Sequence, residues 1–95
     1  MVEEQLLSKM INEGDVHSAL KYNVTRKDFE RNGQVFDFIV EYRKSFGGTP
    51  DVETVVSEYP SFEYLPTVSE PFKGLASRLK NESAKRQAFK LIADE

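Results

Sequence analysis

The stretch SFGGTPDVETVV, residues 45–56, holds the residues with the most obvious chemical potential. Gly47 and Gly48 precede what reads as a helix start at Thr49-Pro50-Asp51. Glycines ahead of a helix N-terminus can cradle a phosphate, because free backbone N–H groups and the helix dipole both face the anion. A nucleotide loop of that kind requires G-x-x-x-x-G-K-[S/T] after a strand. No Gly-Lys pair occurs in the chain, and Asp51 and Glu53 would repel a phosphate. The alternative is punctuation. Gly47 follows the last apolar residue of a helical stripe, Phe46, where a helix end needs a positive φ. Thr49 then serves as N-cap and Pro50 as the first helical residue.

Other chemistry is scarce. His17 is the one histidine, and of its neighbours at i+3 and i+4 only Lys21 is polar. With no cysteine and one histidine, a zinc site is not expected, and a single histidine gives no ground to argue a Ser/His/Asp arrangement. Asp51 and Glu53 lack EF-hand spacing. The remaining carboxylates are spaced as on helix surfaces, and the aromatics fall at helical core positions rather than on a base-stacking platform. We therefore expect no catalytic, metal or cofactor residue, and a chain that is not an enzyme by itself.

Charge is more informative. The 95 residues carry a net charge of −3, which disfavours a dedicated duplex-DNA binder. From Ser45 to Phe72 there are five acids and no base; from Lys73 to Lys90 there are six bases and one acid, Glu82. Such segregation can steer partners together, and it also suits a solvated helix with bases toward its C-terminal end. The opening MVEEQLL puts acids where a signal peptide needs bases, and no apolar run approaches the roughly 20 residues of a membrane span. A cytoplasmic chain without membrane contact is expected.

The elements that would carry these residues are helical. Leu6, Leu7, Met10 and Ile11 share a helical face within Val2–Asn12. NEGD (12–15) interrupts it, and Asp15 caps a short helix to about Tyr22 with Val16, Ala19 and Leu20 inward. Thr25 and Asp28 have capping-box spacing for a single turn. From about Asn32 to Phe46, the residues Val35, Phe36, Ile39, Tyr42 or Arg43, and Phe46 mark a helix roughly 20 Å long. Another runs from about Asp51 to Tyr59. PSFEYLPTVSEP (60–71) reads as an irregular connection that tucks Phe62, Tyr64 and Leu65 inward, with Ser69 as the next N-cap.

The last region changes register. Phe72, Leu75, Ala76 and Leu79 form one stripe; Glu82, Ser83 and Arg86 interrupt it; Ala84, Ala88, Leu91 and Ile92 form an offset second stripe. Either the helix breaks near Asn81, or one long helix leaves the body with a second face for something else. These patterns predict an all-α fold: a small orthogonal bundle of about five to six helices in a single domain over residues 1–95.

The order of these motifs resembles the N-terminal domain of DnaB-type replicative DNA helicases, particularly phage versions. EEQLLSKMI (3–11) matches the family's opening helix through Glu3, Leu7, Ser8, Met10 and Ile11. Asp28-Phe29, then Val35-Phe36-Asp37-Phe38-Ile39, then GGTPDVETV (47–55) follow in family order. LKNESAKRQAFKLI (79–92) is similar to the start of the family's hairpin helix, so residues about 80–95 would begin a hairpin or linker helix. The stretch from Phe29 to Val35 is slightly shorter than in the family.

The resemblance implies a non-catalytic collar of a hexameric helicase in the cytoplasm of a bacterial or phage-infected cell. It would self-associate with neighbouring subunits and dock primase or a helicase loader during replication. ATP and Mg would belong to a separate RecA-like motor. The expected contact surface comprises Arg78, Lys80, Lys85, Arg86, Ala88, Phe89 and Ile92. Reversing Lys85 and Arg86 to Glu is expected to weaken association without unfolding. Two alternatives remain at this point: a stand-alone adaptor or loader-like protein that binds a replication factor, and a helical DNA-binding domain using the basic last helix.

Overall fold

The computed structural model describes the backbone of residues 1–93 and the side chains of residues 1–88. The described residues form five α-helices and one 3-10 turn, with no strand among them. The helices are α1 (Val2–Glu13), α2 (His17–Lys21), α3 (Gly33–Phe46), α4 (Val52–Glu58) and α5 (Phe72–Ala93), and the turn is Arg26–Asp28. The all-α reading holds. No described helix is long and apolar enough to cross a membrane.

The core forms where the apolar stripes meet. Leu6, Leu7 and Met10 of α1, Ile39 of α3, Val55 of α4, and Leu75 and Leu79 of α5 are all 0% exposed. α1 ends at Gly14, whose φ of 61° lets two bonds close the last turn. Gly14 N–H donates to the Ile11 carbonyl and Asp15 N–H to the Met10 carbonyl, a Schellman arrangement that a residue with a Cβ would strain. Asp15 then accepts from the Ser18 N–H at 2.9 Å and from its hydroxyl at 2.6 Å, which starts α2. Val16 and Ala19 are buried as the pattern predicts, but Leu20 is 42% exposed. A five-residue helix has one inward face, and Leu20 lies about 100° past Ala19, the helix centre line. Asn23 takes a left-handed conformation, φ 61°, and turns Val24 back into the core.

Four further details differ from the sequence patterns. Phe46 continues the α3 stripe but is 73% exposed, because α3 runs past the edge of the body. The cap of α4 is Asp51, which accepts the Thr54 N–H at 2.8 Å, instead of Thr49. Pro50 is buried ahead of the helix and not inside its first turn. At α5 the first-turn bond runs from Leu75 N–H to the Pro71 carbonyl, so the helix begins after Ser69 has been passed. Gly47, at φ 78°, ends α3 as expected.

The connection between α4 and α5 is irregular, and the polar side of α1 satisfies its backbone. Ser8 accepts the Leu65 N–H, Asn12 donates to the Leu65 and Pro66 carbonyls, and Lys9 donates to the Val68 carbonyl. Tyr64 donates to the Asn12 side-chain oxygen. Phe62 is buried while Tyr64 and Leu65 are half-buried. α5 is one uninterrupted helix, with Asn81 in its interior. Its rise gives a length of about 33 Å.

Candidate functional site

The expected contact surface lies on α5, and the structure divides it. Phe72, Leu75, Ala76 and Leu79 face the core, and Ser83 is buried beside them. Lys80 and Arg86 turn toward the 3-10 turn. Lys80 Nζ pairs with Asp28 Oδ2 at 2.9 Å, and the Arg86 guanidinium donates to the Asp28 carbonyl at 2.9 Å. Arg78 takes the opposite edge, donating to Gln5 at 3.0 Å and to Glu70 at 3.3 Å. Lys85 and Ala88 are exposed. The side chains of Phe89 and Ile92 lie outside the described residues. The basic run is therefore not one patch, and three of its four cations hold the fold together. Ser83 and Arg86, polar where the apolar stripe would continue, meet the polar Asp28 turn instead of the core.

Asp28 is the centre of this arrangement. Its carboxylate accepts the Thr25 N–H at 2.9 Å as well as the Lys80 ammonium. Burial pushes its pKa up, but the Lys80 bond, the Thr25 N–H, the Lys80 charge and the Ser83 hydroxyl outweigh it, and the net shift is downward.

A second carboxylate pins the other end of the same segment. Glu3, 5% exposed on α1, accepts three successive backbone N–H groups: Glu30 at 2.8 Å, Arg31 at 3.1 Å and Asn32 at 3.0 Å. The Asn32 side chain adds a fourth bond at 3.2 Å. Such a run of N–H groups just before a helix is an anion seat, and here a residue of the chain itself occupies it. Burial pushes the Glu3 pKa up; the backbone bonds from Glu30, Asn32 and Arg31 and the Asn32 side chain bring it below the ordinary value. Segment 25–32 is thus clamped from α1 on one side and α5 on the other.

The Gly47-Gly48 joint is exposed, with Asp51 beyond it engaged in capping α4. His17 is exposed, and no cluster of three or more His, Asp or Glu able to hold a metal occurs among the described residues.

One surface was not legible as such. Phe38, Tyr42 and Phe46 recur every fourth residue along α3 and lie against one another, with ring centroids 5.9 and 4.6 Å apart. Tyr59 at the end of α4 meets Phe38 edge-on at 5.6 Å. Shallow depressions over Phe38 are bordered by Asp37 and Glu41 on α3 and by Asp51, Glu53 and Glu58 at α4. The four-residue spacing was visible in the sequence, but it is also the spacing of a core stripe. Compared with models of protein families, with curated proteins and with solved structures, the chain gives no match.

Proposed function

We propose that this chain is the non-catalytic N-terminal collar domain of a hexameric replicative DNA helicase, acting in the cytoplasm of a bacterial or phage-infected cell. The observation that carries the reading is the order of motifs: an acid-led first helix, Asp28-Phe29, Val35-Phe36-Asp37-Phe38-Ile39, the Gly-Gly-Thr-Pro joint, then a long last helix. Two features of the molecule support it. Glu3 and Asp28 are buried clamps of the helical head, a structural reason for acids at those places in the pattern. α5 runs on beyond its last buried residue in the described part, Ser83, as the base of a hairpin helix would.

In this reading the domain joins neighbouring subunits and docks primase or a helicase loader. ATP binding and hydrolysis with Mg belong to a motor. The test is the coding DNA past the codon for Glu95. An open frame of about 300 codons with a G-x-x-x-x-G-K-[S/T] motif would sustain the reading. A stop codon at that point would overturn it and leave an adaptor or loader-like protein.

A further inference from the structure

The surface at the end of α3 combines two properties that ordinary solvent-facing helices do not share. It is aromatic, with Phe46 73% exposed and packed on Tyr42, which packs on Phe38. It is also bordered by acid on the α4 side, while the end of α3 itself carries the exposed bases Arg43 and Lys44. Asp51, Glu53 and Glu58 are exposed, and no base occurs anywhere between Ser45 and Phe72. On the α3 side Glu41 has only a loose neighbour, Lys44 at 3.5 Å, and both are well exposed. The complement of this surface is present in the same chain. The exposed side of α5 carries Lys73 and Lys85, and Arg78 on its edge is exposed as well.

We propose that the aromatic and acidic surface of α3 and α4 docks the basic side of α5 of a second copy. Phe46 and Tyr42 supply the apolar contact, and the acids of α4, Glu53 and Glu58, lie in the field of the neighbour's α5 lysines, Lys73 and Lys85. The two surfaces are different parts of the molecule, so the contact is head-to-tail: each copy offers one of each, and copies can add in series until a ring closes. Charge complementarity selects the second copy as occupant. A polyanion would be repelled by the acids, and the aromatic rungs give the ion pairs an apolar centre to surround, as in interfaces where a few large side chains dominate. This proposal rests on the collar reading for the expectation that copies meet; the surface itself says which faces meet.

Sedimentation equilibrium of the purified chain tests it. The expected result is reversible association that weakens as salt rises. Phe46→Ala is expected to raise the dissociation constant by about tenfold or more. Because Phe46 is exposed, this variant keeps its helical circular dichroism and melting temperature, which separates docking from folding. Glu53→Lys with Glu58→Lys on one preparation, and Lys73→Glu with Lys85→Glu on another, are each expected to be monomeric. Mixing the two is expected to restore association, through alternating native and charge-swapped contacts. Lys80 and Arg86 are left untouched because they hold the fold. Monomer at every concentration, association indifferent to Phe46→Ala, or no rescue on mixing would each overturn the proposal. Since the collar reading is decided by the downstream reading frame, its failure is seen separately.

Discussion

Removing the Glu3 carboxylate is expected to loosen the entry to α3. Glu3→Ala strips four donors of their acceptor at once. Glu30 and Arg31 are exposed residues, so water can replace the lost bond at their N–H groups. Asn32 is 8% exposed; its N–H loses its partner with little water at hand, while its side-chain amide keeps a second acceptor in the Glu4 carboxylate at 3.1 Å. Bonds to a charged group contribute about 1.5–3 kcal/mol each, and a buried donor left without a partner costs about 1–3 kcal/mol. Counting the Asn32 N–H fully and the other three donors lightly gives about 2–3 kcal/mol. The whole stability expected for a chain of this length is about 5–14 kcal/mol. Urea unfolding followed by circular dichroism at pH 7 reads this directly. With a slope of about 1–1.5 kcal/mol per molar, the midpoint falls by about 1–3 M.

The same carboxylate has a pH signature. Its pKa is lowered in the fold, so its contribution is complete above the unfolded-chain value and is lost as pH falls through the folded value. Glu3→Gln keeps the shape but cannot ionise, so its stability is lower at pH 7 and falls less steeply than wild type below about pH 4.5. A Glu3→Ala variant within about 1 kcal/mol of wild type at pH 7 would refute the clamp. Parallel acid titration of Glu3→Gln and wild type would refute the lowered pKa.

Two other changes discriminate within the same scaffold. Asp28→Ala is expected to cost about 2–4 kcal/mol, because it strands Lys80 and frees the Thr25 N–H. Lys80→Met is expected to cost about 1–2 kcal/mol, since its side chain is 39% exposed and the Thr25 bond survives; equal losses in urea melts would contradict this geometry. Gly47→Ala is expected to lower stability by about 1 kcal/mol through its left-handed φ, while Gly48→Ala, with open space around it, stays within about 0.5 kcal/mol, and a reversed order in thermal melts would contradict the assignment of the helix stop.

The apolar stripes were legible because their period is set by the helix itself: Leu6, Leu7, Met10, Val35, Phe36, Ile39, Leu75 and Leu79 are buried as read. Local polar devices were legible for the same reason, as with Thr25 and Asp28, three residues apart. What periodicity does not carry is the edge of the body. Phe46 obeys the α3 stripe but has nothing opposite it, and Leu20 belongs to a helix too short to bury a second flank. Nor does it carry partners remote in sequence. Glu3 looked like an acid in a first turn, although its acceptor role joins it to residues 27 to 29 positions away. Lys80 and Arg86 looked like free surface charge, and they are committed to a turn more than fifty residues earlier. The basic contact surface read from the sequence is accordingly thinner than its charge count, with Arg78, Lys85 and Ala88 its exposed described members and Arg78 engaged by Gln5 and Glu70.

The clamp on segment 25–32 has a consequence for how the molecule comes into being. One jaw is supplied by residue 3 and the other by residues 80–86, with α1 and α5 packed against each other between them. Neither local helix formation nor collapse of the first sixty residues can shut both jaws. A nascent chain emerging at about 5–20 residues per second exposes the apolar face of α1 for several seconds before α5 arrives. Closing nearly the whole chain into a loop is then the late and slow event, in a protein whose helical content alone would suggest a fast folder. During that interval the uncovered α1 face is the place where a chaperone, or another unfinished copy, would bind.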